Sequence, residues 1–350
     1  MEITFINFLT NLLKIPSLLI TTILISAVMF INGCSDVPNA VATCVSTRSL
    51  TPKKALVLAA IFNFLGVLII TLISSKVAET VFNIVNFGND TSRNLITLCS
   101  GLVGIIIWSI LAWILGIPTS QSHSLLAGIS GAAIALKGNF SGVNLEEWKK
   151  VLYGLFFVNL IAFALGFIIT KLIEKTCKNV DRRKTNKFFK KTQIFGALTT
   201  CFMNGAQDGQ KFMAILLLGV ALSSGITETV NFIIPIWLMF YCSLIIAIGA
   251  IIGGIRIIKT VGTKVSKVES YQGTAADISS AICLLGASMF GIPVSSTHTK
   301  NSAVMGVGAS KRLSNVNWKT AKSMILAWIL TFPFCGLLGF ALTKVLIKIF

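Results

Sequence analysis

The sequence predicts an all-α, polytopic membrane protein built from two related halves. Of its 350 residues, 54% are hydrophobic and only 12% are charged, and the mean hydropathy is +0.84. A soluble chain of this size needs a more polar composition to cover its surface. The apolar residues fall in long blocks, and two polar motifs each occur twice in the same order. Composition therefore indicates a membrane location, and repetition indicates a two-part architecture.

Six apolar blocks are nearly free of charge, and each approaches or exceeds the roughly 20 residues that a helix needs to cross the hydrocarbon core. They cover residues 17–31, 55–73, 95–115, 151–169, 232–252 and 324–347. Three shorter apolar runs cover residues 194–203, 212–222 and 275–290. Short runs are typical of re-entrant or discontinuous helices. Together the blocks predict about ten membrane-embedded helical elements.

The net charge of +18 is concentrated in one connection between apolar blocks. Nine lysines and arginines lie between positions 171 and 191. Because basic connections face the cytoplasm, we expect a cytoplasmic connector at residues 176–191, between a first repeat at 1–175 and a second at 192–350. Nucleic acid is not an expected partner, since no aromatic platform or binding motif accompanies the charge.

Two segments recur along the chain at nearly constant spacing. Residues 32–36 recur as residues 204–208, with Asp36 and Asp208 172 positions apart. Residues 116–124 recur as residues 291–299, 175 positions apart, and place the only two histidines of the chain at matched positions. Ordered landmarks at a constant offset indicate an internal duplication.

The charges of equivalent loops predict that the two repeats have inverted topology. In the first half, the loop that holds Lys76, Glu79, Asp90 and Arg93 has no net charge, whereas its counterpart at residues 256–269 is strongly basic. Opposite charge bias places equivalent loops on opposite sides of the membrane. The loops at residues 137–150 and 311–322 are both somewhat basic and discriminate less clearly.

The repeated aspartates are candidate cation ligands. An intramembrane carboxylate costs several kcal/mol unless it is paired, protonated or bound to a cation. Flanking glycines, amides and Pro38 are expected to loosen each helix and expose carbonyl oxygens, and an all-oxygen set suits a hard cation. The candidate ligands are Asn32, Asp36, Asn39, Asn204, Asp208 and Gln210. The alternative, an aspartate that caps a helix at the interface, is disfavoured because the motif occurs twice in register.

The second pair of segments predicts two turns that each lead into a new helix. Pro118 and Pro293 stop the incoming helix, and hydroxyl residues follow at N-cap positions. Hydroxyls and free N–H groups at a helix N-terminus favour an anion. The candidate anion-binding residues are Ser120, Gln121, Ser122, Ser295, Ser296 and Thr297. His123 and His298 are either linked to protons or anchor each hairpin by a hydrogen bond; we favour anchoring, because no other histidine is present to build a ligand cluster.

These four segments resemble the PiT family of inorganic phosphate transporters. That family repeats a Gly-Ala-Asn-Asp type motif, each copy followed by a Gly-x-Pro-Val-Ser-Thr-Thr-His type hairpin. Residues 273–277 also resemble an acidic family segment and add Asp277 to the candidate cation ligands. Three positions depart from the pattern: Ser35 and Gln207 replace the Asn before each motif Asp, and Gln121 replaces a hydroxyl residue.

The resemblance implies an inverted-repeat fold with broken helices and re-entrant hairpins, and a secondary active transporter of the cell membrane. It would import phosphate by symport with Na⁺ or H⁺, held at Asp36 and Asp208, through alternating access around a midplane site. No cofactor beyond the coupling ion is expected; the partners are phosphate, that ion and the lipid bilayer, and a homodimer is allowed. The alternative is a permease for sulfate or another tetrahedral oxyanion.

Functions from other classes fit the sequence less well. A membrane phosphotransferase that uses His123 or His298 would need a metal-binding acidic cluster or a nucleotide motif, and the chain shows neither pattern. A passive channel is a further alternative, which saturable rates would argue against. A purely structural protein has no need for two intramembrane carboxylates.

Overall fold

The computed structural model describes residues 4–88, 90–115, 120–224, 233–264, 268–316 and 318–349, and these residues form an all-helical fold. The α-helices are α1 Phe5–Lys14, α2 Pro16–Ser46, α3 Pro52–Ile73, α4 Lys76–Phe82, α5 Thr91–Leu115, α6 Gln121–Lys137, α7 Leu145–Tyr153, α8 Asn159–Thr176, α9 Arg182–Ser223, α10 Ile236–Lys264, α11 Ser270–Met289, α12 Ser296–Lys311 and α13 Trp318–Ile349. A π-helical turn, Gly154–Val158, joins α7 to α8. Within the described residues, six helical segments are long and apolar enough to cross a membrane. They coincide with the six predicted apolar blocks, so the predicted polytopic helical fold is confirmed.

The two halves pack against each other through four pairs of helices, and each pair joins a helix of one half to a helix of the other. Helix α2 packs against α10 and α9 packs against α3, while α6 packs against α13 and α12 against α8. By chain order α2 corresponds to α9, α3 to α10, α6 to α12, and α8 to α13. Each of these contacts therefore joins one half to the other, and each has its counterpart. The two halves of the chain therefore pack against each other, and the recurring motifs lie in helices of this packing.

Two glycines of the repeated motif allow this interlocking. A Cβ atom on Gly33 would overlap the carbonyl oxygen of Ile246 in α10. At the equivalent position, a Cβ atom on Gly205 would overlap the carbonyl oxygen of Asn63 in α3. Glycine permits this close approach of helix backbones, as small residues do in membrane helix pairs. The motif glycines therefore leave room for α2 to pack closely against α10, and for α9 to pack closely against α3.

The predicted helix breaks at the aspartate motifs are wrong. Helix α2 runs without interruption from Pro16 to Ser46, with Pro38 inside it, and α9 runs from Arg182 to Ser223. The short apolar runs at 194–203 and 212–222 are parts of α9, separated by the second motif. The reason is that the motif is buried in protein, where the hairpins supply hydrogen bonds to its side chains, so the polar stretch does not need a break in the helix.

Two helical hairpins complete the architecture. Helices α11 and α12 are joined by a turn in which Gly291 has a positive φ of 69°, a conformation that favours glycine. In the first hairpin, α5 leads to α6, and the connecting residues 116–119, which include the predicted stop at Pro118, lie outside the described residues. Helices α6 and α12 have 17 and 16 residues. At 1.5 Å per residue they are about 25 Å long, shorter than the roughly 30 Å hydrocarbon core, which fits re-entrant helices.

The predicted basic connector at 176–191 is largely helical. Helix α8 ends at Thr176 and α9 begins at Arg182, so residues 182–191 form the first turns of α9. The side chains of Arg182, Arg183 and Lys184 are exposed. The positive charge therefore lies on the surface of a helix end rather than in a flexible loop.

Candidate functional site

Each hairpin presents the N-terminus of a helix to the interior, and a serine caps that N-terminus. The Ser120 hydroxyl accepts a hydrogen bond from the backbone N–H of His123 at 3.3 Å. The Ser295 hydroxyl accepts one from the backbone N–H of His298, also at 3.3 Å. The predicted N-caps are confirmed, and both serine hydroxyls are used in capping.

Asp36 lies in α2, 2% exposed, among neutral donors. Its carboxylate accepts hydrogen bonds from Asn32 Nδ2 at 3.0 Å, from Ser35 Oγ at 3.2 Å and from Thr297 Oγ1 at 3.2 Å. Asn39 Nδ2 in turn donates to Thr297 Oγ1 at 3.4 Å. Asn32, Asp36 and Asn39 are therefore brought together with the second hairpin, as expected of a joint site.

Asp208 lies in α9 and is 1% exposed. Its surroundings differ from those of Asp36 by one positive charge. Its carboxylate accepts hydrogen bonds from Ser122 Oγ at 3.3 Å and from Ser296 Oγ at 3.2 Å. It also forms an ion pair with Lys211, with the ammonium nitrogen 3.0 Å from Oδ1. The second aspartate is thus neutralised by a lysine of its own helix.

The tip of each hairpin donates a hydrogen bond to the motif aspartate of the other half. Ser122, in the first half, binds Asp208 of the second, and Thr297, in the second half, binds Asp36 of the first. Ser122 and Thr297 occupy equivalent positions of the repeat, 175 residues apart. Both hairpin tips and both carboxylates therefore belong to one buried centre.

Two amide oxygens at this centre are buried and have no hydrogen-bond partner within the described part of the chain. They are Asn32 Oδ1 and Asn204 Oδ1, which lie four residues before Asp36 and Asp208 respectively. An unsatisfied buried acceptor costs about 1–3 kcal/mol, so each of these oxygens is available to accept from a water molecule or to coordinate a cation. Four residues is one helical turn, so each amide shares a helix face with its aspartate.

The side-chain amides of two predicted site residues, Gln210 and Gln121, bind neighbouring helices. Gln210 donates from Nε2 to the carbonyl oxygen of Ser74 at 2.7 Å and accepts from the N–H of Ala78 at 3.3 Å. Gln121 accepts at Oε1 from Ser109 Oγ of α5 at 2.8 Å. The side-chain amides of both glutamines hold neighbouring helices in place.

Asp277 is buried in α11 and forms an ion pair with Lys300 of α12. Thr43 Oγ1 donates to the same carboxylate oxygen at 3.4 Å. Thr200 Oγ1 donates to the backbone carbonyl of Asp277 at 2.9 Å. The Asp277 carboxylate therefore links the second hairpin to α2 and has its own counter-charge, and the backbone carbonyl of the same residue links the hairpin to α9.

The predicted site residues did not include two side chains that hold the centre together. Gln207 donates to Ser288 Oγ at 3.0 Å and to the carbonyl oxygen of Ile292 at 3.3 Å, and accepts from the N–H of Val294 at 3.3 Å. Lys211 contacts both hairpins. The signal for Lys211 was available: a lysine stands beside the second Asp motif where the first half has Asn39.

The two histidines, one in α6 and one in α12, contact each other. Their ring centroids are 4.7 Å apart, with the planes inclined by 63°. His298 also stacks on Trp328 at 3.9 Å, and His123 lies 4.8 Å from Phe332. Within the residues that the structure describes, the ring nitrogens have no hydrogen-bond partner. The predicted anchoring by a hydrogen bond is replaced by aromatic packing.

The fold and the site define a multi-pass membrane transport protein whose duplicated halves converge on a buried polar centre. The chain belongs to the phosphate transporter family, whose model matches residues 32–339. A "probable low-affinity inorganic phosphate transporter" of Bacillus subtilis is 38% identical over 326 residues, which cover 92% of this chain and 96% of the relative. A Rhizobium meliloti protein with the same description is 35% identical and covers 89% and 90%.

A solved structure described as "the sodium-dependent phosphate transporter" has the same fold. Its TM-score is 0.83 at 24% identity, and the match covers 96% of this chain and 100% of that one. The family and the relatives confirm the resemblance inferred from the four motifs, the multi-pass location in the cell membrane and transport rather than catalysis as the function.

Proposed function

We propose that this protein imports inorganic phosphate by symport with Na⁺ or H⁺. The observation that carries the proposal is that both hairpin tips and both motif aspartates form one buried centre. The names of the relatives support phosphate as the substrate, and the name of the structural neighbour supports a sodium-dependent process.

The anion would bind between the two hairpin tips. The first amides of a helix have no intrahelical partner, and the N-terminus carries partial positive charge. In α6 these are the N–H groups of Gln121 and Ser122, and in α12 those of Ser296 and Thr297. Two helix N-termini with adjacent hydroxyls suit a tetrahedral oxyanion.

The cation would bind beside the anion, at the aspartates. Asp36 and Asp208 provide carboxylate oxygens, Asn32 and Asn204 provide unpartnered amide oxygens, and Asn39 lies next to Asp36 through Thr297. A phosphate beside the uncompensated carboxylate of Asp36 would be repelled strongly at low dielectric. Cation and anion must therefore bind together, which makes symport obligatory.

Movement of the two halves would open the site alternately to each side. Inverted repeats provide equivalent outward and inward states, and the exchanged helix pairs would move as rigid bodies around the central site. In this scheme Gln210 and Asp277 hold neighbouring helices in place and do not bind the cation.

A homodimer stays a prediction.

The test is uptake of ³²P-labelled phosphate into proteoliposomes under an imposed Na⁺ gradient or an imposed pH gradient. Accumulation driven by one of them is the expected result. Uptake that ignores both gradients would rule out symport. Excess unlabelled sulfate provides a second arm: competition as strong as that of phosphate would assign the site to oxyanions in general.

A further inference from the structure

The ammonium group of Lys211 is surrounded by oxygen atoms from α9 and from both hairpins. The Lys211 side chain is fully buried, and its ammonium group lies 2.8 Å from Ser122 Oγ, 3.0 Å from Asp208 Oδ1 and 2.5 Å from the carbonyl oxygen of Val294. An ammonium has three protons and accepts no hydrogen bond. All three protons are used on oxygens from α9 and from both hairpins. No proton of Lys211 is left for the anion.

The repeated motif shows which residue of the first half is equivalent to Lys211. Lys211 follows Asp208 by three residues, and the residue three positions after Asp36 is Asn39. Asn39 donates to Thr297 as Lys211 donates to Ser122. The two contacts are equivalent, but one donor is charged and the other is neutral. The two halves therefore differ by one positive charge at the same point of the repeat.

The buried charges of the described residues balance except at one group. The buried charged side chains are three carboxylates, Asp36, Asp208 and Asp277, and two ammonium groups, Lys211 and Lys300. Lys211 pairs with Asp208, and Lys300 pairs with Asp277. Among the described residues, the side chains that donate to Asp36 are neutral. A buried carboxylate without a counter-charge is costly, so Asp36 is the group that requires an external cation.

We infer that Lys211 is a tethered cation that takes the place of one coupling ion, so that the paired aspartates bind a single exchangeable cation, at Asp36. The inference rests on the proposed symport and specifies its stoichiometry. A covalently attached ammonium balances Asp208 in every state of the cycle and cannot leave with the substrate. Each turnover then carries one cation fewer than two equivalent aspartate sites would carry.

The experiment compares the wild-type protein with Lys211→Asn, which gives the second half the residue type that the first half has at the equivalent position, Asn39. Labelled phosphate uptake into proteoliposomes is measured against Na⁺ concentration, and against pH in Na⁺-free buffer. The charge moved per phosphate is obtained from the reversal potential. The matched control is Lys149→Asn, which removes an exposed lysine paired with Glu146 on α7.

For the wild type and Lys149→Asn, the cation dependence should be hyperbolic, with a Hill coefficient of one. Lys211→Asn should become sigmoidal, because a second cation is then needed at Asp208, and a Hill coefficient rises toward the number of sites. One additional positive charge should move with each phosphate. An unchanged Hill coefficient and unchanged charge per phosphate in Lys211→Asn would overturn the inference, as would cooperative cation dependence in the wild type.

A binding measurement keeps the inference testable when the variant does not transport. The melting temperature of each purified protein is followed against the concentration of the ion that drives wild-type uptake, Na⁺ or H⁺, since a ligand that binds the folded state stabilises it. The slope against the logarithm of that concentration should double in Lys211→Asn; an unchanged slope would overturn the inference. If the wild type takes up no phosphate under either gradient, the proposed symport is wrong. If Lys211→Asn takes up phosphate with the same number of cations as the wild type, only the inference that Lys211 is a tethered cation is wrong.

Discussion

The imidazole rings of His123 and His298 meet at 4.7 Å between centroids. The two residues occupy equivalent positions of the repeat, 175 residues apart, and each follows the N-cap serine of its hairpin helix by three residues. The contact therefore brings the tips of both hairpins together, and the aspartates of both halves accept hydrogen bonds from these tips.

The histidines are expected to act through ring packing. His298→Phe keeps an aromatic ring against Trp328 and removes ring nitrogens that have no partner among the described residues. The larger ring costs about 1–3 kcal/mol of overpacking, which is offset in part because two unsatisfied buried nitrogens are removed. We expect His298→Phe to keep phosphate uptake and a melting temperature close to those of the wild type.

The matched variant is His298→Ala, which leaves a cavity beside Trp328 and should lower the melting temperature clearly. Thermal unfolding in detergent and uptake in proteoliposomes measure both effects. If His298→Phe folded with the wild-type melting temperature but lost transport, the ring nitrogens would have a chemical role.

Asp36→Asn should abolish gradient-driven uptake without loss of stability. The change is isosteric and removes the one buried carboxylate that lacks a counter-charge among the described residues, so the cost of burying that charge disappears. We expect uptake to fall at least tenfold and the melting temperature to stay equal or rise. Asp90→Asn is the control, because Asp90 is exposed and pairs only with Arg93 in the described structure. Equal losses of uptake in both variants would contradict a specific role for Asp36.

The hydroxyl of Thr297 should contribute to cation binding through Asp36. Thr297→Val removes the hydrogen bond of 3.2 Å, and a hydrogen bond to a charged group contributes about 1.5–3 kcal/mol. Since 1.4 kcal/mol is a factor of ten, the cation concentration for half-maximal uptake should rise by about ten- to a hundredfold.

A double-mutant cycle gives the control for this prediction. Thr297→Val combined with Ser35→Ala should be non-additive in cation affinity, because both hydroxyls donate to the same carboxylate oxygen of Asp36. Thr297→Val combined with Thr170→Val should be additive, since Thr170 donates within α8 to Gly166. Additivity in both cycles would show that Thr297 does not act at Asp36.

Much of this architecture could be predicted from the sequence because hydrophobic blocks and duplication are local signals. The six apolar spans, the N-cap serines and the pairing of hairpins with aspartates follow from block length, turn chemistry and repeat order. The continuity of α2 and α9 could not be predicted in this way. Asn32, Gly33 and Pro38 resemble a helix break until the neighbouring α10 and the second hairpin are known.

The roles of the glutamines and of Lys211 also required the tertiary structure. A long polar side chain beside an aspartate can face the ion or a neighbouring helix, and spacing along the chain does not decide between them. Gln210 reaches the α3–α4 connection, Gln207 reaches the second hairpin turn, and Lys211 reaches both hairpins. Only the packing of α9 against its neighbours separates these three cases.

Gly33→Ala should prevent the close packing of α2 against α10. A methyl group there would overlap the carbonyl oxygen of Ile246, and backbone atoms cannot rotate away as a side chain can. We expect loss of folded protein or a large fall in melting temperature. The control is Gly286→Ala in α11, where a methyl group would have no heavy atom within 4 Å and alanine is the better helix former by about 1 kcal/mol. A Gly33→Ala protein as stable as Gly286→Ala would refute the close approach.

The Lys300–Asp277 pair should stabilise the fold without setting the ion stoichiometry. At the position equivalent to Lys300 the first half has Leu125, so this ion pair has no counterpart there. Removing one partner of a buried pair leaves an uncompensated charge and costs about 3–5 kcal/mol, whereas replacing both partners is often nearly neutral. Lys300→Met should therefore lower the melting temperature strongly, and the double variant with Asp277→Asn should recover most of it.

The same double variant separates structural from transport roles. With both charges removed, the net charge of the buried groups stays at one uncompensated carboxylate, so the charge moved per phosphate should equal that of the wild type. Reversal potentials in proteoliposomes measure it, next to thermal unfolding of the same preparation. A double variant that recovers stability but carries a different charge per phosphate would assign a cation to Asp277, because only an ion bound at that carboxylate could account for the change.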